Sequence, residues 1–181
     1  YNNKKITKQK LAETAINLEQ NILNEKVGSQ DQVACSFGGF NLIKFQKNKI
    51  KVKRLNINKD ILHFLEKNLT LVYTGFPRKA HFIEKDKINL LKSKKDYYKD
   101  MLDIVIEAEK LFSSNNLELF KNNFAQLLNQ SWILKKNFSP KVSNNKIDNL
   151  FEKCLSRGAL GGKILGAGGG GFCLFISKNN K

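Results

Sequence analysis

Residues 161–172 of this 181-residue chain invite a phosphate- or sugar-binding reading. The run Gly161-Gly162-Lys163-Ile164-Leu165-Gly166-Ala167-Gly168-Gly169-Gly170-Gly171-Phe172 holds seven of the 12 glycines. Glycine loses more backbone freedom on folding than any other residue, so such a run needs a geometric reason. A tight turn between two strands is the plain one. A loop with several positive φ angles, whose amides approach a phosphate or sugar, is the sharper one, and four consecutive glycines exceed what a hairpin requires. Gly166, Gly168 and Gly171 match G-x-G-x-x-G in spacing, but that fingerprint opens a helix. The following Phe172-Cys173-Leu174-Phe175-Ile176 has no helical spacing. A Walker A loop requires Ser or Thr after its Lys, where Ile164 stands. Both nucleotide motifs are excluded.

Other chemistries have less support. His63 and His81 are isolated and make neither a metal site nor a nucleophile triad. Cys35, Cys154 and Cys173 are widely spaced, with no C-x-x-C, and read as small residues in a reducing compartment. The net charge of +16 raises the question of nucleic acid. Of the 32 basic residues, however, only Arg54, Arg78 and Arg157 are arginines, the side chain suited to bidentate phosphate and base contacts. The lysines are dispersed from end to end beside 22 asparagines, as a compositional bias would leave them. No nucleic-acid partner is expected. Nor is a membrane partner, since no stretch approaches 18 uninterrupted apolar residues. A cytoplasmic protein is the expectation.

The elements that must position the loop follow from periodicity. Leu11, Ala15, Leu18 and Ile22 share a helical face behind Thr7 as N-cap, with Glu19 at its border. Gly28–Asp31 reads as a turn or the start of a short helix. Val33–Phe37, Phe40–Phe45 and Ile50–Lys53 read as strands. After a composition break near 56–59, Leu69–Thr74 is a strand ended by Gly75 and Pro77. Helices are expected at about 99–112 and 117–134. A further helix, capped by Ser143 and closed by Gly158, carries Ile147, Leu150, Phe151, Cys154 and Leu155. Short strands then flank the glycine loop, at Lys163–Leu165 and Phe172–Ser177. Strands 33–53 have one helix to cover them, so the first segment reads as the rear of a larger domain. The fold class is α+β.

Two of these segments carry a family resemblance. Gly28-Ser29-Gln30-Asp31-Gln32 with Phe37-Gly38-Gly39-Phe40 resembles the segment of GHMP small-molecule kinases that holds their catalytic aspartate. Gly158 to Phe172 resembles the C-terminal glycine motif of the same superfamily, preceded by a matching Ser143 to Asp148. The Gln-Asp-Gln version, the Phe-Gly-Gly-Phe-Asn continuation and Tyr73-Thr74-Gly75-x-x-Arg78 are similar to the D-glycero-D-manno-heptose 7-phosphate kinase group.

The resemblance implies the rear part of a ribosomal protein S5-like kinase domain over 1–57 and a ferredoxin-like GHMP kinase C-terminal domain over 58–181. It implies ATP and Mg²⁺ as cofactors and a sugar phosphate as substrate, phosphorylated at C1. Asp31 is then the proton acceptor and Glu19 the metal ligand. Gly166, Gly168, Gly169 and Gly170 lie beside the nucleotide, while Gln30, Gly38, Gly39 and Arg78 contact the sugar phosphate. The Gly/Ser-rich ATP loop of these kinases has no counterpart in 1–181, so the resemblance is to a C-terminal portion. Fucose- and galactose-type kinases, and a non-catalytic sugar-phosphate-binding remnant, are the alternatives.

Overall fold

Thr7 opens the first helix: its hydroxyl oxygen accepts the Lys10 amide at 3.2 Å, satisfying one of the donors that a helix start leaves unpaired. The computed structural model describes residues 5–25, 27–47, 49–77 and 95–178. The chain divides into two units, Tyr1–Asn56 and Ile57–Lys181.

In the first unit α1 (Lys8–Asn17) runs into a π-helical turn, Leu18–Ile22, which carries Glu19. α2 (Gln30–Phe37) follows, then an antiparallel hairpin of β1 (Asn41–Gln46) and β2 (Lys49–Arg54). Ile43 pairs with Val52 and Phe45 with Ile50 across the hairpin. Two expectations are corrected here. Val33–Phe37 is the body of α2 rather than a strand. A five-residue, mostly apolar stretch cannot distinguish the two by periodicity, and Gln30-Asp31-Gln32 extend it to two helical turns that end at Gly38. On α1 the buried residue is Ala12, whereas Leu11, Leu18 and Ile22 are exposed. α1 packs on α2, and the fully buried pair Ala12 and Val33 lets the two helices approach closely.

The second unit begins with α3 (Lys59–Asn68), a helix absent from the sequence reading. Asn58 caps it by accepting the Asp60 amide at 2.7 Å, and Ile61, Leu65 and Asn68 bury one face. β3 (Leu69–Tyr73) is followed by α4 (Lys95–Ser113), α5 (Leu117–Phe138), α6 (Asn145–Ser156), β4 (Ala159–Ile164) and β5 (Phe172–Ser177). Asn144, not Ser143, caps α6, accepting from Lys146 and Ile147. The Ser143 hydroxyl instead donates to Asp148 at 2.9 Å. The strands form one antiparallel sheet in the order β3-β5-β4. Its helix-covered side holds Trp132, Val142, Ile147, Phe151, Ile164, Ala167, Cys173 and Phe175. Trp132 stacks on Phe151 at 4.9 Å, and Phe151 meets Phe175 at 4.8 Å.

The free edge of β4 is sealed by a helix. A strand edge exposes amides and carbonyls that pair with any available chain. Here Asn129 of α5 acts as a surrogate strand: its Nδ2 donates to the Leu160 carbonyl at 3.2 Å and its Oδ1 accepts the Gly162 amide at 3.0 Å. Further along, Lys135 Nζ donates to the Ile164 carbonyl at 3.2 Å. Gly161 permits this approach, and Gly162 makes room for the paired strand β5. A Cβ on Gly161 would sit 2.4 Å from the Ala125 carbonyl oxygen, and one on Gly162 would sit 2.4 Å from the Phe175 ring. A glycine inside a strand marks such a close approach of another backbone.

Gly161→Ala forces α5 off β4 and lowers unfolding stability by about 1–3 kcal/mol, the cost of overpacking a filled site. Gly28→Ala, whose Cβ would meet nothing within 4 Å, changes it by less than about 0.5 kcal/mol. Urea titration of the two variants checks this, and equal stabilities would contradict the close contact.

Candidate functional site

Each unit gathers its own group of the residues singled out by sequence. In the first, the π-turn and the start of α2 are tied together by amides. Gln20 Nε2 donates to the Val27 carbonyl at 2.9 Å and to Ser29 Oγ at 3.1 Å, which fixes the segment leading into α2. Gln32 Nε2 donates to Glu19 Oε2 at 2.6 Å. A π-turn displaces the helix register locally, a feature frequent at functional sites, and it carries the half-buried Glu19. Asp31 lies in the first turn of α2, exposed, where the unpaired amides of the helix start favour a carboxylate. Gln30 is exposed beside it. Gly38 and Gly39, at φ 63° and 75°, make the turn from α2 into β1. Asn41 Nδ2 bridges their carbonyls at 2.9 and 3.3 Å.

The donor set around Glu19 suits a hard cation. Mg²⁺ takes one or two carboxylates and completes its octahedron with water and phosphate oxygens. Glu19 supplies the carboxylate, and Gln32 Oε1, buried beside it, has no hydrogen-bond partner. Among the described residues no cluster of three or more His, Cys, Asp or Glu exists to hold a metal without outside ligands. The residues therefore fit a metal shared with a substrate and not a closed structural site.

In the second unit, the glycine loop is held at three points. At its start, Lys135 Nζ donates to the Gly166 carbonyl as well as to Ile164. In its middle, the Gly169 amide donates to the Val142 carbonyl at 2.8 Å. At its end, Gly171 exchanges bonds with the segment after β3: its amide donates to Phe76 at 3.1 Å, and its carbonyl accepts the Thr74 amide at 2.8 Å and the Thr74 hydroxyl at 2.9 Å. The Tyr73-Thr74-Gly75 motif and the glycine loop are thus brought together. Arg78 lies outside the described residues.

The glycine run has a reason that neither sequence reading supplied. Gly168 and Gly170 are buried, at φ 103° and 156°. A Cβ on Gly168 would lie 3.0 Å from Val142, and one on Gly170 3.0 Å from the Pro77 carbonyl. These glycines let the loop close onto its own protein, with Ala167 plugged into the core. Gly166 is exposed and Gly169 half-exposed. The Gly169 amide is taken up by the Val142 carbonyl within the protein. Beside the loop, Phe76 and Asn144-Asn145-Lys146 line an open cleft of about 530 Å³.

Sequence reasoning held Gln32 and Thr74 only as members of their motifs and missed Asn129 and Lys135. Lys135 left a signal, since it falls on the face of α5 that carries the buried Leu128 and Trp132. A lysine at a core position must find acceptors.

Residues 108–181 match the family described as GHMP kinases C terminal. The chain is 36% identical over 170 residues to D-glycero-alpha-D-manno-heptose 7-phosphate kinase of Campylobacter jejuni, covering 92% of this chain and 49% of that protein. Among solved structures, a putative sugar kinase from Campylobacter jejuni matches at 30% identity and a TM-score of 0.62, covering 97% of this chain and 49% of that one. The mevalonate kinase of L. major in complex with R-mevalonate matches at 21% identity and a TM-score of 0.72, covering 95% and 50%. Residues 108–181 of this chain are a GHMP kinase C-terminal domain, and the chain has the α+β fold of the kinases it matches. It is similar over nearly its whole length to a heptose 7-phosphate kinase, and it spans about half the length of these three relatives.

The base of the loop is electrostatically unusual. Burial pulls the Lys163 ammonium below its ordinary range. Burial pushes the Cys173 thiol from 9.0 to about 11, reinforced by Cys154 and opposed by Lys135. The folded state therefore keeps the Cys173 proton where the unfolded chain releases it. This contribution to stability is complete below pH 9 and is lost as pH rises from 9 toward 11. Wild type is expected to lose more stability between pH 8 and pH 10 than Cys173→Ala, as read by urea unfolding. Equal losses would place the thiol in contact with water.

Proposed function

We propose that this chain is the C-terminal portion of an ATP-dependent kinase that phosphorylates the C1 hydroxyl of a sugar phosphate such as D-glycero-D-manno-heptose 7-phosphate. The reading is supported chiefly by the kinship with the Campylobacter jejuni heptose 7-phosphate kinase, which extends across both units. In this reading the first unit is the rear of the S5-like kinase domain, and the second is the GHMP C-terminal domain. The protein works in the cytoplasm, where ATP and sugar phosphates are present.

The assigned roles follow from what phosphoryl transfer needs: position, charge neutralisation and a proton acceptor. Asp31, exposed at the start of α2, accepts the proton of the C1 hydroxyl. The sugar oxygen forms its bond to the γ-phosphorus as the bond to the β–γ bridging oxygen breaks, and ADP leaves. Glu19, with Gln32 beside it, would hold Mg²⁺, which would supply neutralisation of phosphate charge. Gln30, Gly38 and Gly39 shape the sugar side, and Arg78 pairs with the 7-phosphate through a bidentate contact. The glycine loop of Gly166, Gly168, Gly169 and Gly170 forms a wall beside the nucleotide phosphates.

Asp31→Asn tests the assignment. In the active enzyme it lowers kcat by about two orders of magnitude or more while the KM for ATP changes little, the pattern of an interaction made in the transition state. Turnover near that of the wild type would remove Asp31 from the mechanism.

A further inference from the structure

We infer that Lys135 is a positioning residue for phosphoryl transfer, a buried cation that sets where the glycine loop leaves the sheet. The inference rests on the proposed placement of that loop beside the nucleotide phosphates. Lys135 is 9% exposed, on the last turn of α5. Its ammonium donates to Ile164, the last residue of β4, and to Gly166, the first glycine of the loop. The two acceptors bracket the point where strand becomes loop. Of the loop's three holds, the Val142 and Thr74–Phe76 contacts join neutral groups, whereas this one is charge-assisted and correspondingly stronger.

Its location also suits a cation. The last turn of a helix has unpaired carbonyls that favour positive charge. An ammonium there is presented with two more carbonyls. A neutral side chain of the same reach would fill the space and leave the Ile164 and Gly166 carbonyls without this donor, a penalty at the loop hinge. Asn129, six residues earlier on α5, holds the strand itself. Strand and loop therefore have separate anchors on one helix.

Hydrogen exchange of Lys135→Met separates these roles. The Leu165, Gly169 and Gly171 amides, all hydrogen-bonded in the loop, are expected to exchange about tenfold faster or more. The α6 amides stay unchanged, and Lys135→Arg restores protection. In the active enzyme the same variant lowers kcat more than it raises the KM for ATP, with Lys135→Arg again restoring turnover. Unchanged loop exchange in folded Lys135→Met would overturn the inference. A loosened loop with normal kcat would overturn Lys135's part in the reaction by removing the loop from it, whatever the outcome for Asp31. If Lys135→Met does not fold, NMR of the wild-type Lys135 ammonium decides the point. Slow solvent exchange with coupling to the Ile164 and Gly166 carbonyl carbons supports the inference, and a freely exchanging ammonium overturns it.

Discussion

The contact on which the second unit depends is the lateral seal of β4 by α5. A three-stranded sheet has two exposed edges, and at one of them a helix lies where a fourth strand would go. Asn129 supplies the donor and acceptor of a missing peptide group, and Gly161 lacks the side chain that would hold the helix away. The consequence extends past the strand. With the β4 edge occupied, the chain leaves the sheet at Ile164 under the control of Lys135, and the loop must turn back along Val142 and Phe76 to reach β5. Its many positive φ angles are the backbone's solution to that path.

The first unit works by a different device. Its buried centre is small, with Ala12, Gln32 and Val33 enclosed while Leu11, Leu18, Ile22, Leu23 and Phe45 remain exposed. Amide side chains, more than apolar packing, set the geometry around the candidate carboxylates. Gln20 fixes the approach to α2, and Gln32 directs Glu19. The π-turn and the buried, unpartnered Gln32 oxygen are local departures from ideal structure.

Long periodic segments could be read from sequence and short or laterally packed ones could not. Thr7 as cap, the strands at Leu69 and Phe172, and the three helices after residue 95 follow from apolar spacing and cap chemistry. Val33–Phe37 was ambiguous because a five-residue stretch carries no period. α3 was not legible because it has only ten residues and its buried face of Ile61, Leu65 and Asn68 includes a polar side chain. Asp31 and Glu19 are invisible to composition and emerge only with the motif around them. The reason for the glycine run was beyond sequence, since nothing in Gly161 names Ala125 as the backbone it must admit. Lys135 was nearly legible, a charge on an apolar face whose acceptors lie some thirty residues away.

The kinase assignment is tested most directly by ³¹P NMR of the active enzyme with ATP, Mg²⁺ and D-glycero-D-manno-heptose 7-phosphate. The account predicts a new resonance coupled to the anomeric proton, with the 7-phosphate signal retained and ADP formed in equal amount. Stoichiometric transfer to another hydroxyl, or ATP consumption without an anomeric phosphate, would contradict it.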